Sequence, residues 1–202
     1  MKLSVILGHP HPGSFNHAIA ETAVRTLRGN GHEVSFHDLY EEGFDPVLPA
    51  AEIPKDGSVD PVVKNYCEEI SEADGIIIVH PNWWGQPPAI LKGWVDRVLR
   101  PGVAYAFREG DSGEGVPIGL LKAGMAIVFN TSNTPAEREA GTFADPLERI
   151  WKDCILGLCG VRTVYRRQFS VIVMSTPGMR EQWLDEVAGT VSRYFPSSGR
   201  GR

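Results

Sequence analysis

Several things this chain lacks narrow what it can be. Its 202 residues contain no apolar stretch approaching the length of a membrane span. The opening "MKLSVILG" carries a charge and an apolar run, but the run breaks at once into His-Pro-His-Pro and makes a poor secretory signal. Three cysteines, Cys67, Cys154 and Cys159, are too few for a disulfide framework, and the last two lack the Cys-x-x-Cys spacing of a redox or zinc motif. They read as buried free thiols of a reducing compartment, so the expected location is the cytoplasm. Positive charge is not in excess either. A formal net charge of −5 gives no electrostatic reason to expect nucleic acid or an anionic membrane as partner.

What is present is an ordinary globular composition, 42% hydrophobic and 22% charged, in a chain long enough for one sizeable core. Short apolar runs alternate with longer periodic segments, the pattern of a parallel sheet with crossover helices. Strands are expected over 2–8, 32–39, 75–80, 123–132 and 161–173. Helices are expected over 14–31, 60–74, 87–99, within 142–160 and over 180–195. The segment 41–60, rich in Pro, Asp and Glu, reads as a long loop. The fold class is therefore α/β, a doubly wound sheet of five parallel strands in the order 2-1-3-4-5 with helices on both faces. One domain over 1–195 is expected, with 196–202 a disordered tail.

In such a sheet, ligands bind beyond the carboxyl ends of the strands at the switch point between the first and third. That rule gathers three loops into one candidate site. After the first strand, "HPHPGSFN" ends in Ser14, a helix cap, with the Phe15 and Asn16 amides in the first helical turn; this is either a simple capped turn or a phosphate site. It has neither the Gly-Lys-Ser/Thr of a P-loop nor the three glycines of a dinucleotide fingerprint. His9, His11 and His80 could approach one another as a zinc set, but no carboxylate or cysteine in either loop completes it, and no metal is expected. After the third strand, Trp83 and Trp84 offer either a flat wall for a planar ring or packing for the core or a partner subunit. After the fourth, "NTSNT" supplies hydroxyls and amides. A phosphate cradle, an aromatic wall and a polar edge together describe a flavin site.

At this point the residues carry a resemblance. "HPHPGSFN", "DLYEEGFDPVL" (38–48) and "WWGQPPAILKGWVDRVLRPGVAYAF" resemble, in order, the phosphate loop, the Phe-x-Pro segment and the Trp-centred loop and helix of the flavodoxin-like NAD(P)H dehydrogenase (quinone) family, the DT-diaphorase group. The resemblance covers roughly Met1 to Phe107. It implies that His9, Ser14, Phe15 and Asn16 contact the phosphate portion of a flavin, and that Pro81, Asn82, Trp83, Trp84 and Gly85 line its ring. Thr131, Ser132 and Asn133 take the place of the family's Thr-Gly-Gly turn. It further implies FAD as cofactor, with FMN the alternative, NAD(P)H as co-substrate, a small-molecule electron acceptor such as a quinone, and a homodimer with both subunits lining each site. The aromatic and Gly-rich loop 100–117 either covers the neighbouring subunit's ring or folds Tyr105 and Phe107 back on its own domain.

The chain also departs from that pattern. The family follows its Thr-Gly-Gly turn with a tyrosine and a histidine that support charge on the reduced flavin, whereas 130–146 contains neither. That role either falls to backbone amides, hydroxyls or Arg138, or is weaker here. Glu137, Arg138 and Glu139 otherwise read as the solvated start of a helix. The expected activity is hydride transfer from NAD(P)H through the flavin to the acceptor; the competing reading is a non-catalytic flavin- or nucleotide-binding subunit of a transport system.

Overall fold

The computed structural model describes residues 1–54, 57–108 and 114–197. Five strands form one parallel sheet: β1 (Lys2–Leu7), β2 (Glu33–Asp38), β3 (Gly75–Pro81), β6 (Met125–Ser132) and β7 (Thr163–Ser170). Their order is β2-β1-β3-β6-β7, the doubly wound arrangement expected. A small antiparallel hairpin, β4 (Tyr105–Ala106) with β5 (Ile118–Gly119), lies outside the sheet and is not expected from the sequence pattern.

Side-chain alternation along each strand divides the interior into two layers. Ile6, Ile76, Ile78, Ala126 and Val128 face one side, where α2 (Pro61–Glu72) and α3 (Ala89–Val98) pack with Trp151. Leu3, Val5, Leu7, Ile77, Val79, Ile127 and Phe129 face the other, against α1 (Phe15–Gly29) and α6 (Pro177–Tyr194). All seven residues of β3 are buried, as its central place between β1 and β6 requires.

Helix starts follow the local chemistry that the sequence offers. Ser14 caps α1 by accepting the His17 amide, and Asp60 caps α2 with Pro61 at its first position. The glycine of the Pro-Ala-Ile-Leu-Lys-Gly-Trp run has a packing reason. A Cβ on Gly93 would stand 2.2 Å from the Pro46 carbonyl oxygen, so α3 and the Phe-x-Pro segment can meet only across a glycine.

The segment 142–160 contains a helix as expected, α5 (Pro146–Arg149) running into a π-helical Ile150–Gly157, while α4 (Ala136–Phe143) comes before it and is not expected. Three further expectations need correction or refinement. The fifth strand stops at Ser170, and a short 3-10 turn, Ile172–Met174, follows. Within 41–60, Phe44 joins the core and Glu52 is buried in an ion pair with Arg97 (Nη2 to Oε1, 2.6 Å), because a loop that covers α3 must bring its own core residues. Cys154 is exposed, since its helix turns that face outward; Cys67 and Cys159 are buried. Residues 198–202 of the expected tail lie outside the described residues.

Candidate functional site

The carboxyl ends of β1, β3 and β6 open into a cavity of about 750 Å³. All twelve residues singled out from the sequence line it: His9, Ser14, Phe15, Asn16, Pro81, Asn82, Trp83, Trp84, Gly85, Thr131, Ser132 and Asn133. Register explains the convergence, since β3 and β6 end side by side with His80 opposite Asn130 and Pro81 opposite Thr131.

The first wall is the start of α1. Its first amides have no acceptor within the helix, and the positive end of the helix dipole lies there. His9 Nδ1 accepts the His11 amide at 3.1 Å, which places the ring proton on Nε2 as a donor. Burial holds the His9 pKa below its ordinary value, so the ring is neutral near pH 7. Phe15 anchors the helix start against Phe169 and Trp183, with ring centroids at 6.3 and 5.8 Å. Asn16 is 3% exposed, and its amide bonds Thr131 Oγ1 at 2.9 Å, tying the first wall to the third. These two side chains spend their polar atoms on each other. His11, an exposed residue, serves through its backbone: its carbonyl accepts the Ser14 amide at 3.2 Å.

The second wall is a strained turn. Asn82 donates its amide to the Thr131 carbonyl at 2.6 Å, and its side-chain oxygen accepts the Gly85 amide at 2.9 Å. Trp83 and Gln86 then exchange both backbone hydrogen bonds, at 3.1 and 3.0 Å, around Trp84 and Gly85. Both central residues have positive φ, 58° and 72°, as a type I′ turn demands. For Gly85 this is free, and the missing Cβ also admits Pro146, whose Cγ would otherwise lie 2.7 Å away. For Trp84 it is a strain, and the turn leaves that side chain 100% exposed while Trp83 is 42% exposed. Neither tryptophan is packing for this chain's own core.

The third wall is Ser132, Asn133 and α4. Ser132 Oγ accepts the Thr134 amide at 3.0 Å, and Asn133 Oδ1 accepts the Val173 amide at 3.0 Å. Here the reading of Glu137 to Glu139 as a solvated helix start fails in part. Glu139 is 3% exposed and accepts a hydrogen bond from Asn82 Nδ2 at 3.0 Å; Arg138 also lines the cavity, its guanidinium 5.7 Å from the Phe143 ring centre. The helix lies across the mouth of the crevice, so its first turn faces inward. Thr134, from the expected "NTSNT" segment, also lines the cavity, and Phe143, Pro146 and Ile172 complete the lining and were missed. A helix opening with Pro135 directly after a strand's carboxyl end was the available signal for α4; nothing in the sequence marks Ile172.

His80 stands behind this site rather than in it. Its ring is fully buried, Nδ1 donates to the Pro81 carbonyl at 2.7 Å, and Nε2 accepts the Trp151 indole at 2.9 Å. Burial pushes its pKa down to about 4. A histidine so committed cannot join His9 and His11 around a metal, and among the described residues no group of three or more His, Cys, Asp or Glu is placed to hold one.

Comparison with known proteins agrees with this geometry. Residues 1–166 match a family described by its flavodoxin-like fold. An uncharacterized NAD(P)H oxidoreductase of Haemophilus influenzae is 33% identical over 193 residues, which cover 91% of each chain. NAD(P)H dehydrogenase (quinone) 1 of Rattus norvegicus is 34% identical over 203 residues, covering 90% of this chain and 73% of the other. The solved structure of NAD(P)H:quinone oxidoreductase from Methanothermobacter marburgensis superposes with a TM-score of 0.81 at 27% identity over 96% of both chains. The chain belongs to the flavodoxin-like fold family, among its quinone-type NAD(P)H oxidoreductases.

Proposed function

We propose that the cavity binds a flavin nucleotide, FAD in the leading form and FMN in the alternative, and that the protein moves a hydride from NAD(P)H to a quinone or similar small acceptor in the cytoplasm. The observation that carries this reading is the convergence of three loops, from the ends of β1, β3 and β6, on one cavity with a helix N-terminus at one wall and an exposed tryptophan pair at another. The donor set fits such a group. The α1 amides, Ser14 and the Nε2–H of His9 suit a phosphate, and a flat aromatic wall suits a planar ring. The relatives' names support the nicotinamide and quinone parts of the reading. Free cysteines at 67, 154 and 159 support a reducing compartment.

A bound flavin would supply the hydride chemistry itself. The chain's own residues bind and orient it and exclude water. The α1 dipole favours negative charge at the phosphate wall, and Trp83 and Trp84 cover apolar surface. Thr131 and Asn16 brace two walls against each other through their shared hydrogen bond. Arg138 and Glu139, within the segment 130–146 that lacks the resembling family's tyrosine and histidine, put one positive and one negative side chain on the lining. Arg138 is the residue we assign to negative charge developing in the cavity. Oligomerisation belongs to the same proposal: Phe107, Val116, Ile118 and Leu120 form an exposed apolar surface on the hairpin side, suited to a second copy of the chain.

The test begins with the purified protein, which is expected to carry or take up flavin, to bleach anaerobically with NADH or NADPH, and to recover its colour with a quinone. Chromatography of the heat-released cofactor separates FAD from FMN, and light scattering reads the dimer. A colourless protein that takes up neither flavin sinks the proposal. Reduction by NAD(P)H without turnover on any quinone, dye or nitro compound would favour the non-catalytic subunit.

A further inference from the structure

Behind the phosphate wall, Ser14 leads into two side chains that the flavin reading does not use. Ser14 Oγ stands 2.8 Å from His17 Nδ1, and His17 Nε2 stands 2.9 Å from Asp38 Oδ2. The histidine and aspartate side chains are only 13% and 8% exposed, whereas Ser14 is on the cavity lining. The other oxygen of Asp38 accepts the Tyr40 and Glu41 amides, at 3.1 and 3.3 Å. That carboxylate is thus an acceptor throughout, and His17 Nε2 must carry a hydrogen to meet it.

We propose that His17 is a positioning residue for an anionic phosphoryl group at this wall, acting through Ser14: when His17 takes up a second proton, the Ser14 hydroxyl hydrogen is released from the ring and becomes a donor to the ligand. The inference rests on the flavin-nucleotide reading above for the identity of the ligand. Its physical basis is a count of hydrogens. With a neutral ring, Nε2–H serves Asp38 and Nδ1 is a lone pair, so the Ser14 O–H points at Nδ1 and the oxygen shows only lone pairs elsewhere. With a charged ring, Nδ1–H donates to Ser14 Oγ instead. The hydroxyl hydrogen is then free to meet a phosphate oxygen. Ser14 Oγ already accepts the His17 amide as a helix cap, at 3.4 Å, so it has no further backbone claim on its hydrogen.

The titratable groups that face His17 come from two neighbouring elements. Asp38 comes from the end of β2, and His9 comes from the loop after β1, its ring centre 6.0 Å away and nearly perpendicular. His11 meets this group through its backbone, its amide on His9 and its carbonyl on the Ser14 amide. Asp38 presents a carboxylate oxygen to the His17 ring, and burial holds the His9 pKa below its ordinary value, so that ring is neutral near pH 7. The linkage has a definite sign: ligand binding takes up a proton, and affinity falls as pH rises.

The experiment measures binding of FAD to the apoprotein by flavin fluorescence between about pH 6 and pH 8, the range in which histidine charge changes, with calorimetry in two buffers to count protons. Wild type is expected to bind roughly tenfold more weakly at the upper end, the scale of one charge-assisted hydrogen bond, and to take up a proton on binding. Riboflavin, which has no phosphate, is expected to show no such slope. His17→Gln and Ser14→Ala should each bind FAD with the slope and the proton uptake abolished. A slope retained in both variants assigns the proton elsewhere, His9 first, and overturns the proposal, as does a flat wild-type profile. If no flavin binds at all, the flavin reading fails, and the His17 inference is decided by NMR titration of its ring with inorganic phosphate. A ring that titrates at higher pH with phosphate present supports it; an unmoved titration ends it.

Discussion

Replacing Trp84 by glycine should make the protein more stable while weakening its grip on a planar ligand. The residue occupies a left-handed conformation, φ 58°, which costs an L-residue about 1–2 kcal/mol. Its side chain is 100% exposed, so truncation forfeits no burial. Glycine's extra freedom in the unfolded chain takes back about 0.4–1 kcal/mol. The net is a gain of about 0.5–1 kcal/mol, which for a domain of this size raises Tm by about 1–4 °C. Calorimetry of the apoprotein measures this directly. Trp84→Asn, a residue that tolerates the same φ, should move Tm in the same direction. Binding should move the other way, because removing an aromatic ring from the wall costs about 0.5–1.5 kcal/mol, or roughly two- to tenfold in Kd. A Tm lowered by more than about a degree in Trp84→Gly would refute the argument, since it would mean that the indole supports the fold.

Thr131→Val leaves the Asn16 amide buried without its partner, at a cost of about 1–3 kcal/mol, and Tm should fall while Thr131→Ser stays near wild type. Glu52→Gln removes the buried counter-charge of the Arg97 guanidinium, 4% exposed, and leaves only the exposed Asp45 carboxylate 3.8 Å away; urea titration should show a loss of about 3–5 kcal/mol at unchanged m. Arg97 holds the Glu52 carboxyl below the usual range, so this stabilisation is present above the carboxyl's unfolded pKa and disappears as pH falls through its lowered value. Acid titration of wild type should reveal that component and Glu52→Gln should lack it. His80 titrates near 6.5 when unfolded and about 4 when folded, so stability should decline as pH falls from 6.5 to 4. A flatter slope in that window is expected for His80→Gln, and an unchanged slope would show that His80 is not the source.

The framework was legible because each of its elements has a local cause. Ile76 to Val79 form an apolar run of strand length, Ser14 and Asp60 mark helix starts, and the strand order is one common in small doubly wound sheets, with their switch-point rule for ligands. The same rule placed the site, since it says which loops converge before any side chain is seen. Glu139 was not legible. Charged residues in a helix opening normally face water, and only the position of α4 over the crevice turns this one inward. The π-helical turn at Ile150–Gly157 has no signature in periodicity, because its spacing differs from the one that the eye looks for. Glu52 was hidden for a related reason: its partner lies 45 residues away on another element, and pairing at that range leaves no trace in local composition.

The complete burial of β3 has a consequence for how the molecule breathes. Its amides lie between β1 and β6 with both faces covered, so they should exchange with solvent only when the whole domain opens. The Trp83–Gln86 turn at its end is exposed, closed by two backbone hydrogen bonds, and should exchange by local fluctuation on far shorter times. Entry and departure of a ligand can therefore proceed by motion of that turn alone, leaving the sheet intact, so that dwell time at the site and lifetime of the fold are set by different barriers.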